Sequence, residues 1–573
     1  MMQIHLYAQQ GDIAGVANEI SNGVDIDSLE EDFQKTPLMV AVSSSDAGID
    51  MLRFLVEHGA NVNAIEPESE HTVLDLAVQS GNIDKVQFIL DAGADINYQT
   101  ENGYDVLIQA MYGRDILHDQ NLISILNLLI SRGATVNGRS SYGETAIKVA
   151  AHLGRFDAVQ LLLNAGANPE QLGWTELMHA IVFGNLEQVK LLLEKGAQQD
   201  VCDSWQRTPF LLSIQVGELA KTKLLLAMGA NRNDVGISGK TPLMYAIENN
   251  RHDILQWLIA EGFDIEATDD FENTALMMAA ELSATDCVKI LLEAGVNPGR
   301  IDKYNNTAIK VANHLDIVRM LVIAGENLSD INDNIRRSLT KIDNNKFSLS
   351  KLSPEQYFAG KHPRFGKTNP ELMDIPFWQA MIYEGCSAYA AKNIFNDTEN
   401  WQDKGWCYQR FGRTITQLPD GRIIEIAGEH EDYYDPDFCI YNDVVVYQPD
   451  GSFQIFGYPQ DVFPPTDFHS ATLVGDYIYI IGNLGYANAA ISDETPVYRL
   501  DSHTFKIEKV ETTGDKPGWI SHHKAYYREP GKIYISGGKL LVIQQEDSEY
   551  IDNLNDYFLD LSNFTWSRVI QNN

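Results

Sequence analysis

The chain has 573 residues, of which 43 are Lys or Arg and 80 are Asp or Glu, so that its formal net charge is −37. A field of this sign repels nucleic acid and anionic membranes, and we expect neither as a partner. The five cysteines are few, odd in number and scattered, which argues against a disulfide framework and favours a reducing compartment.

The start of the chain resembles no targeting segment. Residues 1–6 contain neither the basic stretch nor the apolar stretch of a secretory leader. Nothing later approaches the roughly 18 consecutive apolar residues that a membrane helix needs. We therefore expect a cytoplasmic protein.

A sequence motif of about 33 residues is repeated along residues 1–329. Each copy has a Thr that begins an apolar run, as in Thr36-Pro37-Leu38, and about twenty residues later a Leu-rich run that ends on Gly-Ala or a close variant. The closing glycines are Gly23, Gly59, Gly93, Gly133, Gly166, Gly196, Gly229, Gly262, Gly295 and Gly325. A repeat of this length predicts a stack of similar units with a continuous binding surface.

Each copy predicts two short helices. Thr241 suits the position that caps a helix, and Pro242 suits its first turn. Gly262 can adopt the positive φ with which the second helix ends. This pattern resembles the ankyrin repeat, which implies an α-solenoid of about ten repeats. The fourth copy departs from the family pattern, because Asp105 stands where Thr is expected.

The residue three positions before each repeat Thr is expected at the tip of the hairpin between repeats. Five of these nine positions are aromatic, namely Phe33, Tyr142, Trp205, Phe271 and Tyr304. The resemblance implies that partners bind to these tips and to the adjoining inner helices, where aromatic side chains are common anchors. The alternative is that each ring packs on the neighbouring hairpin. We favour packing for any single ring and partner binding for the row.

The repeats end at residue 329. The residues that follow, 330–405, are predicted to form a capping and linking segment. Its first part, up to residue 350, is polar and aperiodic. Residues 371–396 combine aromatic and small side chains and predict a docking helix, centred on residues 377–391, that joins the two halves of the chain.

From residue 406 the apolar pattern alternates, which predicts β-strands. Three copies of a strand, a Gly turn, a second strand, a polar turn and a last strand follow, and their glycines Gly428, Gly482 and Gly537 are 54 and 55 residues apart. This resembles the kelch motif and implies a partial β-propeller of three units. Three units leave sheet edges open, and another segment or a second chain must cover them. We favour self-association into a homodimer.

Residues 429–437 contain one His and five carboxylates, including His430. They could form a metal site, but their spacing matches no known ligand pattern, and we favour an ordinary loop. The repeat register of His469 and His523 favours a structural role for both. No nucleophile triad, phosphate loop or metal motif is present in the sequence, so we expect no cofactor and no metal.

These patterns predict a multidomain α+β protein with domains at residues 1–329, 330–405 and 406–573. The first functional hypothesis is a non-enzymatic protein that binds a protein partner. The negative charge favours a basic partner, such as an enzyme or toxin that this protein would inhibit. The alternative, which explains the charge equally well, is that the acidic residues keep the protein soluble. The alternatives are an enzyme whose site lies near His430, and a substrate adaptor or scaffold.

Overall fold

The computed structural model describes residues 3–569 apart from the segments 31–33, 114–115, 117–119, 343–347, 398–403, 431–437, 487–490, 492, 529 and 545–546. It divides into two compact units, Met1–Ala275 and Leu276–Asn573. Among the described residues, no helix combines the length and the apolar character that crossing a membrane requires. The domain boundaries at residues 329 and 405 stay predictions.

The first unit consists of pairs of short helices. The pairs are α1 (Gln3–Gln10) and α2 (Ile13–Ser21), α3 (Pro37–Ser43) and α4 (Ile49–Glu57), α5 (Val73–Gln79) and α6 (Ile83–Asp91), α7 (Val106–Gln109) and α8 (Leu122–Ser131), α9 (Ala146–His152) and α10 (Phe156–Asn164), α11 (Glu176–Phe183) and α12 (Leu186–Glu194), α13 (Pro209–Val216) and α14 (Leu219–Ala227), and α15 (Pro242–Glu248) and α16 (His252–Ala260). The apolar faces of the first five pairs share one core, which extends from Ile4 to Leu172 without a break between those pairs. The predicted helical repeat region is thereby confirmed.

The residues that were predicted to begin and end the helices of each repeat do so in the structure. The Thr36 hydroxyl accepts a hydrogen bond from the Met39 N–H at 3.3 Å. Asp105 replaces Thr in this role, since its carboxylate accepts from the Ile108 N–H at 2.9 Å. The closing glycines have positive φ, for example +98° at Gly59, and a Cβ there would meet no atom within 4 Å. Backbone conformation rather than space therefore selects glycine.

The second unit begins with two further helix pairs and continues with four helices. They are α17 (Ala275–Glu281), α18 (Thr285–Glu293), α19 (Ala308–Val311), α20 (Leu315–Ile323), α21 (Asp333–Thr340), α22 (Pro354–Gly360), α23 (Pro376–Glu384) and α24 (Ala388–Ile394). The docking segment is two helices and not one, because Gly385 adopts φ +67° and ends α23, and Ser387 then caps α24. Its Phe377 and Trp378 are buried.

The remainder of the second unit is β-structure. The strands are β1 (Glu371–Leu372), β2 (Thr414–Gln417), β3 (Ile423–Ile426), β4 (Glu429–His430), β5 (Cys439–Ile440), β6 (Val444–Tyr447), β7 (Phe453–Gly457), β8 (Ser470–Val474), β9 (Tyr477–Ile481), β10 (Val497–Asp501), β11 (Ile507–Lys509), β12 (Thr513–Gly514), β13 (Ile520–Ser521), β14 (Lys524–Arg528), β15 (Lys532–Ser536), β16 (Lys539–Gln544), β17 (Asp547–Asp552), β18 (Tyr557–Asp560) and β19 (Thr565–Arg568). The predicted change from helical repeats to a β-rich region is confirmed.

Three sheets correspond to the three sequence copies. Their strand orders are β1-β7-β6-β3-β2, β11-β10-β9-β8 and β12-β19-β18-β15-β14. The first strand of the second copy, β8, lies beside both β2 and β14. The third copy contains a hairpin, β16–β17, between its Gly turn and its second long strand, and this hairpin was not predicted from the sequence.

Segments of the second unit cover the outer edges of these sheets. Strand β1 pairs with β7, and β12 pairs with β19. The Asn369 side chain donates to the Ile507 carbonyl at 2.6 Å and accepts from the Ile507 N–H at 2.9 Å, as a neighbouring strand would. Edge cover thus comes from the chain itself, and homodimer formation stays a prediction.

The last helical repeat of the second unit lies against the inner strands. The Ile415 N–H of β2 donates to the Ser329 hydroxyl at 2.9 Å. Lys524 of β14 lies 3.7 Å from Glu326, whose side chain is 2% exposed. One short turn of the repeat therefore contacts the first and the third sheets at once.

Candidate functional site

The structure places the aromatic tip residues in different environments. Tyr142 and Phe271 of the first unit are exposed by 71% and 44%, respectively. Tyr304 belongs to the second unit and is exposed by 66%. Trp205 is half-buried, and Phe33 lies outside the described residues. The first unit thus presents two of the five predicted anchors to solvent, and a partner-binding role for each residue stays a prediction.

Trp205 packs on an inner helix two repeats earlier. Its indole stacks on the His152 ring with centroids 4.2 Å apart, and its Nε1–H donates to the Lys148 carbonyl at 2.9 Å. The Lys148 ammonium lies 5.8 Å from the centre of the same ring. These contacts are those of the packing interpretation.

The hairpin that carries Trp205 is held by a buried ion pair. Arg207 donates to the Asp203 carboxylate at 2.6 Å and to the Ala151 carbonyl at 2.7 Å, and the Arg207 and Asp203 side chains are 1% and 0% exposed. The Asp203 carboxylate also accepts from the Trp205 N–H at 2.9 Å. A buried charge that is paired and hydrogen-bonded in this way fixes the tip firmly.

Tyr142 belongs to a group of aromatic side chains around one carboxylate. The Tyr104 ring centre lies 6.3 Å from that of Tyr112 and 6.5 Å from that of Tyr142. The hydroxyls of Tyr104 and Tyr112 both donate to one Glu144 oxygen, at 2.5 and 3.2 Å. We call Tyr104, Tyr112, Tyr142 and Glu144 the tyrosine cluster.

The electrostatics of the tyrosine cluster keep its donors protonated. The hydrogen bond to Glu144, together with burial, raises the pKa of Tyr104 to about 12. Burial and the Glu144 charge also raise the pKa of Tyr112. Both hydroxyls therefore stay protonated at neutral pH and act as donors to Glu144.

Tyr104, Tyr112 and Trp174 were not among the residues predicted from the sequence. Tyr104 and Trp174 come directly before the residues that cap α7 and α11, and Glu144 holds the same position before α9. Trp174 contacts the His179 ring at 5.3 Å between centroids. The position immediately before the cap, and not only the tip three residues earlier, would have revealed Tyr104 and Trp174.

The stability of the first unit distinguishes packed from exposed tip residues. Trp205→Ala should lower the free energy of unfolding by about 1–3 kcal/mol, because a ring stack and a hydrogen bond are lost. Phe271→Ala should change it by less than about 0.5 kcal/mol, as is usual for an exposed site. Urea denaturation followed by circular dichroism measures both. Equal effects of the two substitutions would contradict this assignment.

The acidic segment near His430 is described only in part. Glu429 and His430 are buried in β4, and residues 431–437 lie outside the described residues. Among the residues that the structure does describe, no three His, Cys, Asp or Glu side chains are grouped to hold a metal ion. The hypothesis of an enzyme at this site stays untested.

His469 and His523 make equivalent contacts in successive sheets. His469 Nε2 lies 2.8 Å from the Thr414 hydroxyl at the start of β2, and His523 Nε2 lies 2.8 Å from the Ser470 hydroxyl at the start of β8. Both imidazoles are buried. Each therefore links the start of one sheet to the next, in agreement with the structural role favoured from the sequence.

The comparison with known proteins concerns the repeats. A family model described as ankyrin repeats (3 copies) matches residues 4–100, 107–203, 177–269 and 253–334. The chain is 28% identical over 213 residues to the palmitoyltransferase AKR1 of Lachancea kluyveri, covering 36% of this chain and 28% of the relative. It is 27% identical over 190 residues to the putative ankyrin repeat protein YahD of Escherichia coli, covering 32% of this chain and 90% of the relative.

A third relative is the human ankyrin repeat and SOCS box protein 6, which is 29% identical over 184 residues that cover 28% of this chain and 43% of the relative. The matched part of the chain therefore spans less than half the length of two of these three relatives. The family-model matches together cover more than half of the 573 residues. With its capped helix pairs and closing glycines, the chain belongs to the ankyrin repeat family.

Proposed function

We propose that the protein is a non-enzymatic binder that takes up a basic protein partner on the tips and inner helices of its first unit. Ankyrin repeats support a protein–protein interaction role. The observation that carries the proposal is the exposure of Tyr142 and Phe271, by 71% and 44%, on hairpin tips. Large aromatic side chains held on a rigid repeat are the anchors that protein interfaces favour.

The charge of the chain supports a basic partner. A formal net charge of −37 attracts cationic surfaces and accelerates encounter with them. An inhibitor or immunity-type role towards a basic enzyme or toxin would use this attraction. The proposal places the interaction in the cytoplasm, where the five cysteines would remain reduced.

For the second unit we propose three kelch-like units of a partial β-propeller. Support comes from the adjacent first strands of the three sheets and from the glycine that follows each second strand. These glycines, Gly428, Gly482 and Gly537, have φ of +97°, +78° and +63°. On this proposal the β-rich region is a second interaction platform and carries no catalytic step.

Partner capture tests the proposal. The chain, immobilised at equal density, is exposed to extract of its own cells, and bound proteins are quantified by mass spectrometry. The double variant Tyr142→Ala, Phe271→Ala should retain at least one basic protein about tenfold less well, or weaker still, because two anchors are lost. The matched control is Leu191→Ala, Met228→Ala, which removes exposed side chains from α12 and from the end of α14.

The expected result is a basic protein that the wild type and the control retain and the aromatic variant loses. If the aromatic variant retains every basic protein that the wild type does, the proposed surface is wrong. If the control loses the same proteins, the loss reflects general apolar exposure and also contradicts the proposal.

A further inference from the structure

The tyrosine cluster combines exposed aromatic faces with a half-buried carboxylate. Tyr142 and Tyr112 are exposed by 71% and 48%. Their rings are inclined to that of Tyr104 by 52° and 57°, so the three rings do not form a single stack. Two of their hydroxyls converge on Glu144. The cluster therefore offers π faces and a negative charge to the same incoming group.

The chemistry of the cluster selects a cation. Glu144 repels an anionic ligand, and an apolar side chain that covered the carboxylate would remove it from water without compensation. A cation, in contrast, is attracted by the ring faces and by the carboxylate together. A cation already lies over an aromatic ring nearby, since the Lys148 ammonium lies 5.8 Å from the Trp205 ring centre while it donates to the Gly143 carbonyl at 3.0 Å.

Arginine fits the cluster better than lysine. Its planar guanidinium can lie on a ring while its edge donates to a carboxylate, whereas an ammonium acts as a strongly hydrated point charge. Among the described residues, Arg139 borders the cluster as Lys148 does, because its guanidinium lies about 3.1 Å from the position that a Cβ on Gly143 would take. The positive charge of Arg139 should repel an incoming arginine and so weaken its binding.

We propose that the tyrosine cluster binds an arginine side chain of the partner, with the guanidinium on the exposed rings and hydrogen-bonded to Glu144. This inference rests on the proposed function, because the cluster is the place where the first unit would bind a positive charge of its basic partner. It also explains why the cluster combines exposed aromatic area with a carboxylate.

The test uses the full chain and a fluorescein-labelled peptide of nine arginines, with fluorescence anisotropy at physiological ionic strength. Tyr142→Leu and Glu144→Gln should each weaken binding about fivefold, and Tyr142→Phe, which keeps the ring, should change it less than about twofold. Arg139→Gln should strengthen binding about twofold by removing the like charge. A peptide of nine lysines should respond less to Tyr142→Leu.

The matched control for charge is Glu187→Gln, an exposed carboxylate at the start of α12, which should change affinity less than about twofold. Equal binding by the wild type, Tyr142→Leu and Glu144→Gln overturns the arginine site, as does failure of the wild type to bind the peptide. Neither result decides the proposed function, which is tested separately by partner capture with the variants of Tyr142 and Phe271. Circular dichroism confirms that each variant is folded.

Discussion

Replacing Glu425 with Ala is expected to lower the free energy of unfolding of the second unit by about 3–5 kcal/mol. Glu425 of β3 lies 3.3 Å from Arg336 of α21, and the two side chains are 5% and 4% exposed. Burial alone would lower the pKa of Arg336, but the negative charge of Glu425 outweighs it and raises that pKa. Without Glu425, the guanidinium would remain charged in a site closed to water, which is the origin of the loss.

Two further variants separate the charge from the packing. Glu425→Gln should retain the hydrogen bond that the Tyr447 hydroxyl donates at 3.0 Å, and should lose only the charge pairing. The double variant Arg336→Met, Glu425→Leu should be more stable than either single removal, because no isolated charge remains. Urea denaturation followed by tryptophan fluorescence measures all of them. A double variant that loses the sum of the single effects would contradict a buried ion pair.

Acidification from pH 6 to pH 5 is expected to lower the stability of the second unit by about 2 kcal/mol. Burial lowers the pKa of both His469 and His523 to about 3. In the unfolded chain each imidazole titrates near pH 6.5. Between about pH 6.5 and pH 3 the unfolded state therefore binds protons that the folded state cannot, so stability is full above this range and falls with pH through it.

The double variant His469→Gln, His523→Gln should show a flatter dependence of unfolding free energy on pH. The slope is the informative quantity, since the substitutions also change stability at neutral pH. The control is His503→Gln, because the side chain of His503 is 65% exposed in the same unit. An unchanged slope in the double variant, or a flat profile in the wild type, would show that the two histidines do not titrate as buried groups.

Short-range patterns in the sequence predicted the features of the fold that depend on residues close together in the chain. The cap at Thr36 and the stop at Gly59 depend on contacts within one helix turn, so a repeated residue type reveals them. The same holds for the alternating strands from residue 406 and for the register of His469 with His523. Even the departure at Asp105 is local, because aspartate caps a helix as threonine does.

The features that sequence reasoning missed depend on residues far apart in the chain. The ring of Trp205 rests on His152, 53 positions earlier, and that partner leaves no mark near Trp205. Asn369 completes a strand edge at Ile507, which is 138 positions away. The tyrosine cluster escaped for a similar reason, since Tyr104 and Glu144 come from successive repeats and meet only when the repeats stack.

The contacts of Ser329 with β2 and of Glu326 with β14 restrict which parts of the gene can be duplicated or exchanged independently. Repeats can be gained or lost by duplication within the first unit, because each contributes the same kind of interface to its neighbours. The last repeat is different, since its side chains serve β2 and β14 as well as the stack. Exchange of whole modules by recombination would therefore have to transfer the last repeat together with the β-rich region, and the inherited block begins well before residue 406.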